Sequence, residues 1–205
     1  MLIVKRVIMK QVILASASPR RREILEMLGF NVEVRPSECD ENIQAASPEE
    51  LVMKLSGLKC QDVAGKIVHM KGPAEKIILG ADTIVVSDKG ILGKPSDEAD
   101  AFRMLKILSG KAHTVFTGVT IIDIETGKKF TFAEHTEVIF YDITDEEIRE
   151  YIGTGEPMDK AGAYGIQGRG AFLVKEIRGD FYTVMGLPAA RVWHTLRSFN
   201  GEIYG

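Results

Sequence analysis

The stretch QVILASASPRRREILEMLG (residues 11–29) decides how the rest of the chain is read. Gln11 to Ala15 is an apolar run of strand length, and it passes without a loop into Ser16-Ala17-Ser18-Pro19. Ser18 is placed as an N-cap and Pro19 as the first helical residue, because proline's fixed φ suits that position and its missing N–H is an orphan there anyway. Ile24, Leu25 and Leu28 then fall on one helical face, and Gly29 ends the helix. A strand that turns straight into a helix is the building step of α/β proteins. The helix start is also electrostatically odd. A first helical turn carries partial positive charge and favours Asp or Glu, as the helix opening at Ser96 does with Asp97, Glu98 and Asp100; here the turn holds Arg20, Arg21 and Arg22. A bound anion resolves the conflict, held by free backbone N–H groups, the hydroxyls of Ser16 and Ser18, and guanidinium forks. An arginine cluster on a solvated flank is the other reading. Helical neighbours point about 100° apart, so not all three arginines face one ligand.

Outward from this turn, the 205 residues suffice for one domain with a sizeable core, and 45% apolar with 27% charged residues is an ordinary globular mixture. A net charge of −3 argues against a binder of nucleic-acid polymers, whose footprint is usually basic. Cys39 and Cys60 form no CxxC pair, which fits a reduced, cytoplasmic chain. The opening MLIVKRVIMK is interrupted by Lys5, Arg6 and Lys10 and is too short to span a bilayer, so it reads as a strand or tail, and no other run reaches membrane length.

Ser47-Pro48-Glu49-Glu50 is a capping box that opens a second helix, with Leu51, Leu55 and Leu58 toward the core, and residues 65–74 read as a loop. Ile77-Ile78-Leu79 is a buried strand ending in Gly80-Ala81-Asp82-Thr83, followed by a hairpin turning at Asp88-Lys89-Gly90. A helix runs from Ser96 to Leu108. Two long alternating stretches, 114–124 and 129–140, form an antiparallel pair around Glu125-Thr126-Gly127. Thr144-Asp145-Glu146-Glu147 caps another helix, and a glycine-rich segment (153–170), a last hairpin and a helix from Pro188 to Phe199 complete the chain. The fold class is α/β or α+β, around one extended sheet.

Two more segments are placed to carry chemistry. An apolar strand ending in Asp82 delivers an acid to the carboxyl edge of a sheet, where α/β ligands gather; Asp82 there ligates a metal, accepts a proton from water, or simply caps a turn. Lys94, in the tight turn Gly93-Lys94-Pro95, reaches a phosphate or lies on the surface. The segment Glu156 to Gly170 lets backbone approach a ligand while Asp159, Lys160 and Gln167 read it. Neither GxxxxGK[ST] nor GxGxxG after a strand is present, and the four histidines show no metal spacing.

Taken in order, ILASASPRRREIL (13–25), ILGADTIVV (78–86), LGKP (92–95), SGKAHTVFTGV (109–119) and EPMDKAGAYGIQG (156–168) resemble the Maf family of nucleotide pyrophosphatases. The resemblance implies an extended mixed sheet flanked by helices, of the inosine-triphosphatase type, with two lobes and a central cleft formed by residues 1–205 as one domain. It implies attack on the α-phosphorus of a nucleoside triphosphate with release of pyrophosphate, using a divalent cation (Mg²⁺, Mn²⁺ or Co²⁺). Asp82 matches the family's proton acceptor, Glu41 an acid that helps hold the metal, and Ser16, Arg20, Arg21, Lys59 and Lys94 its phosphate-binding groups. Thr83 and Gln167 are similar to the branch acting on dTTP and UTP. A glutamine amide pairs with the N3–H and a carbonyl of uracil or thymine, and flipped it pairs with cytosine, so CTP stays open. Gly57, where the family often has alanine, loosens the helix bearing Lys59 by roughly 1 kcal/mol. Related proteins suggest a homodimer. A nucleotide-sensing module that regulates cell division is the competing reading, and it predicts binding without turnover.

Overall fold

The computed structural model describes residues 11–67 and 76–199. Residues 1–10 and most of the expected loop 65–74 lie outside that range, although Gly65, Lys66 and Ile67 belong to a helix. The architecture is a seven-stranded mixed sheet flanked by helices. β1 (Gln11–Leu14) runs parallel to β2 (Val32–Val34) on one side and to β3 (Lys76–Ser87) on the other. β5 (Ala112–Asp123), β6 (Lys129–Phe140) and β7 (Val174–Arg178) follow β3 antiparallel, giving the order β2-β1-β3-β5-β6-β7. β4 (Gly90–Leu92) pairs only with the end of β3.

The expected antiparallel pair is β5 and β6, in register from Ala112↔Ile139 to Ile122↔Lys129. Two expectations change. Asp82 does not end its strand, because β5 pairs with β3 from Ile77↔Asp123 to Val86↔Thr114, and β4 pairs with it from Val85 to Ser87. The last hairpin is not formed either. β7 adds to β6 from far along the chain, with Val138 opposite Ile177, and then leads into α5 (Phe181–Met185) and α6 (Ala189–Phe199). A strand pairs with whatever edge is free, and here that edge is not its neighbour in sequence.

Alternation along β3 and β5 sends successive side chains to opposite faces. On one face, Ile77, Leu79 and Ala81 of β3 with Val119 and Ile121 of β5 pack under α1 (Pro19–Met27), α5 and α6. Further along, Val85 and Val115 join a second cluster with α3 (Glu98–Leu108) and α4 (Asp145–Ile152). Between the two clusters stand Thr83 and Thr117, paired in register with their hydroxyls 2.9 Å apart. The Thr144 capping box forms as expected, whereas α3 is capped by Asp97 and not by Ser96.

The opposite face is covered by α2 (Pro48–Ile67). Ser47 accepts from Glu50 N at 3.1 Å, but the Glu50 carboxylate reaches Ala46 N, so the capping box closes on one side only. The helix is also rotated from the leucine stripe: Val52, Leu55, Ser56, Lys59, Cys60 and Val63 are buried, while Leu51 and Leu58 are half-buried. Small residues explain this. A Cβ on Gly118 would lie 2.3 Å from the Val52 carbonyl carbon, and one on Gly80 would lie 2.5 Å from the Ser56 carbonyl oxygen. The backbone of α2 therefore rests directly on that of β3 and β5. Among the described residues no helix is long and apolar enough to cross a membrane, and Cys39 and Cys60 are both free.

Gly118→Ala should lower stability by about 2 kcal/mol, read as the urea midpoint, because the added methyl meets helix backbone that cannot rotate away. His113, buried in the second core, is a separate stability device. Its Nε2 lies 2.8 Å from the Tyr164 hydroxyl, and burial pushes its pKa down to about 4 from 6.5. The unfolded chain takes up that proton first, so this stability is complete above about pH 6.5 and falls by on the order of 3 kcal/mol as the pH drops to 4. His113→Gln should flatten the pH dependence of unfolding across that window; identical slopes in variant and wild type would contradict it.

Candidate active site

β3 is paired with β5 along one edge, but its other edge is paired in two pieces. β1 covers it as far as Leu79, with one last bond from Ala15 N to Leu79 O at 2.8 Å, and β4 covers it again only from Val85. On that edge Gly80 to Ile84 thus face no neighbouring strand among the described residues, and Asp82 sits at the middle of this gap. In parallel pairing the next donor after Ala15 N would serve Ala81 O. The chain has by then turned into α1, and Arg21 takes over.

Arg21 Nη1 donates to Ala81 O (2.8 Å) and to Ser16 Oγ (2.9 Å), Nη2 to Thr83 Oγ1 (3.0 Å), and Nε to Gly186 O (2.9 Å). All four acceptors are neutral, and the residue is 8% exposed. Burial lowers the guanidinium pKa, the charge of Asp82 opposes that shift, and Arg20 adds to it. Four of the five donors of Arg21 are committed to the protein. The charge faces the gap, while the fork that would grip a phosphate is largely occupied. Ser18 holds the N-cap position without a side-chain cap bond; its N–H instead donates to Ser16 Oγ at 3.2 Å.

The acids come from the other face. Lys59 Nζ, on α2, lies 2.6 Å from Asp82 Oδ1 and 3.1 Å from Glu41 Oε1, so one ammonium bridges the two carboxylates. Gly57 leaves α2 unbroken, and Lys59 is buried on it. The segment carrying Glu41 is tied down by Asp62, which accepts from Ser37 Oγ and Glu38 N and pairs with Lys66. Among the described residues no three His, Cys, Asp or Glu side chains converge as a metal cage.

Ser16, Ser18, Arg20, Arg21, Glu41, Lys59, Asp82, Thr83, Lys94 and Gln167 all line one cavity of about 710 Å³. The helix start and the acid therefore converge on a shared space. A second, shallower depression of about 720 Å³, bounded by Met53, Leu58 and Lys129, contains none of them. The wall opposite α1 is the glycine-rich segment, folded into three short 3-10 turns (Glu156–Asp159, Ala161–Ala163 and Gly168–Leu173). It is anchored to the Lys94 turn by Gly162 N to Gly93 O, 2.9 Å. Arg20 Nη1 reaches across the cavity to Asp159 Oδ2 at 3.4 Å, and Asp159 also pairs with Lys160. Asp159 and Lys160 were legible only as polar residues within a glycine-rich run. Thr117, which donates to Thr183 O at 2.8 Å, lies in the 109–119 segment but is not singled out there as a site residue.

A family model described as Maf-like protein matches residues 11–199. The chain is 50% identical to a dTTP/UTP pyrophosphatase of Bacillus cereus over 196 residues, covering 95% of this chain and 93% of that one. It is 48% identical to the dTTP/UTP pyrophosphatase of Bacillus mycoides, covering 95% and 98%. Among solved structures, the Ham1 protein of Staphylococcus aureus superposes with a TM-score of 0.53 at 13% identity, covering 95% of this chain and 100% of that one. A HAM1 protein of Coxiella burnetii gives 0.54 at 13%, with the same coverage. At that identity the likeness is one of fold.

Arg21→Lys should destabilise the protein by about 3 kcal/mol in urea unfolding, because a single ammonium leaves several buried oxygens without donors. Arg20→Lys, at an exposed pair, should change stability by less than about 0.5 kcal/mol.

Proposed function

The chain belongs to the Maf family, and from that premise we propose that it hydrolyses dTTP and UTP to the nucleoside monophosphate and pyrophosphate, acting as one catalytic domain in the cytoplasm. The observation that carries the reading is the shared cavity, where Asp82 stands among cations drawn from α1, α2 and the Gly93 turn. Five cationic side chains (Arg20, Arg21, Lys59, Lys94, Lys160) face three carboxylates (Glu41, Asp82, Asp159) in its lining. That balance suits a triphosphate, whose charge of about −4 has to be neutralised before water can attack the phosphorus.

The donor set also fits a divalent metal. Asp82 and Glu41 are hard oxygen ligands converging on one ammonium, and a Mg²⁺-type ion commonly takes one or two carboxylates and completes its shell with phosphate oxygens and water. When bound, the ion supplies positive charge at the phosphates. The remaining steps belong to the chain. Arg20 and Lys94 hold the triphosphate tail, and the Arg21 charge supports it from behind. Lys59 orients the Asp82 carboxylate. Asp82 accepts the proton of the attacking water as the new P–O bond forms and the bond from the α-phosphorus to the bridging oxygen breaks, so that pyrophosphate leaves. Thr83 is held by Arg21 and Thr117, which makes its role at the cavity one of shaping the floor. Gln167, exposed on the opposite wall, reads the pyrimidine through its amide.

Asp82→Asn should reduce kcat with UTP and Mg²⁺ by roughly 10³-fold while nucleotide affinity changes little. Pyrophosphate should be the product of the wild type. Orthophosphate would point to a phosphatase, and near-normal turnover in the variant would remove Asp82 as the base.

A further inference from the structure

Glu156 does not line the cavity, yet its carboxylate lies inside the turn that carries Gln167. Oε2 accepts from Arg169 N at 2.9 Å, and Oε1 accepts from Gly170 N at 3.2 Å and from the Tyr151 hydroxyl at 2.9 Å. The same hydroxyl accepts from Gly165 N at 3.1 Å. Backbone donors on both sides of Gln167 therefore end on one carboxylate, or on a phenol bound to it. The backbone is wrapped tightly around this group: a Cβ at Gly168, whose φ is +69°, would come within 2.8 Å of Oε2, and one at Gly165 within 3.2 Å of Oε1.

Besides Glu156, the turn is held by Ile166, which packs against the first core cluster, and by the exposed ion pair of Arg169 with Glu150 at 3.2 Å. Gln167, Gly168 and Arg169 are exposed and contribute nothing to either core cluster. A segment with few apolar contacts opens at low cost unless polar bonds fix it, and bonds to an ionised acceptor are the stronger kind. Burial works against the charged form of Glu156. The Arg169 N–H, the Tyr151 hydroxyl, the Gly170 N–H and the Lys160 charge outweigh it, and the carboxyl stays below its ordinary range.

We infer that Glu156 is a specificity-positioning residue, which sets nucleobase discrimination by holding the 165–170 backbone so that the Gln167 amide meets a pyrimidine edge. It touches neither the substrate nor the metal. The inference rests on the reading of Gln167 as the group that recognises the base. An amide at 156 is nearly isosteric, but its NH₂ would face the N–H groups of Arg169 or Gly170, so the turn would open without a cavity being created.

The test compares Glu156→Gln, Tyr151→Phe and Gln167→Ala in steady-state kinetics with UTP and GTP, together with inhibition by inorganic tripolyphosphate, a probe that has no base. Glu156→Gln should raise KM for UTP about tenfold, bring the UTP:GTP ratio of kcat/KM down to that of Gln167→Ala, and leave kcat and the tripolyphosphate Ki within about twofold. Adding Gln167→Ala to Glu156→Gln should cost no further discrimination. Tyr151→Phe removes one donor and should shift the ratio the same way by about threefold, so the inference can be judged even if Glu156→Gln folds poorly. A Glu156→Gln enzyme that keeps its UTP:GTP ratio while Gln167→Ala loses it overturns the inference and spares the reading of Gln167. An unchanged ratio in Gln167→Ala overturns both. A tripolyphosphate Ki that weakens in step with KM for UTP overturns the inference by placing the effect on phosphate binding.

Discussion

A buried strand edge needs hydrogen-bond partners, and in this protein one short piece of edge obtains its partner from a side chain. Where β1 stops at Leu14 and β4 has not yet begun, the Ala81 carbonyl of β3 is met by the guanidinium of Arg21. Burying a charge is costly, and here it is offset by four hydrogen bonds to neutral oxygens and by the field of nearby Asp82. Among the described residues no acid is bonded to Arg21, so its positive charge is not neutralised by a direct partner. The same contact ties Ser16, the floor of β3 and the Gly186 turn into one rigid unit. Without it the Ala81 carbonyl would be left unsatisfied at the strand gap, and with it the gap can border an open cavity.

The acid side of the cavity depends on how closely α2 approaches the sheet. Gly80 and Gly118 let helix backbone rest on strand backbone, and Ser56 meets Thr120 hydroxyl to hydroxyl at 2.9 Å. Lys59 can therefore reach Asp82, the register partner of Gly118, and still hold Glu41. On the far wall, Gly162 and Ala163 both adopt positive φ, and Ala163 is the one non-glycine to do so among the described residues. The Gly93 carbonyl, the His113–Tyr164 pair and the Glu156 carboxylate pin that wall at successive points. Three separate supports thus face one space, each fixed by polar contacts that a helix or strand pattern does not announce.

Much of the fold could be read along the chain because period and punctuation are local. Pro19 after Ser18, the Thr144 capping box and the turn at Glu125-Thr126-Gly127 all stand where the pattern puts them. The misreadings share a cause. Asp82 looked strand-terminal because it closes an apolar run, and only the presence of β5 and β4 alongside carries the strand to Ser87. The leucine stripe of α2 pointed about one residue away from the face that is buried, because glycines on distant strands select the close-packing side. β7 has no local signal for its partner, which lies on β6.

The site divides in the same way. The amino-acid sequence by itself determined which polar residues were candidates for the cavity they now line, since an arginine-rich helix start, an acid after an apolar run and a glutamine in a glycine-rich segment are chemical types visible in a string. Tertiary structure alone decided how each is used. It turned Arg21 inward onto the gap in β3, left Arg20 facing Asp159 across the cavity, set one lysine between Asp82 and Glu41, and put Glu156 behind Gln167. The physical reason is that hydrogen-bond partners separated by 14 to 165 positions are chosen by strand register and helix approach, and neither is encoded in a window of neighbouring residues.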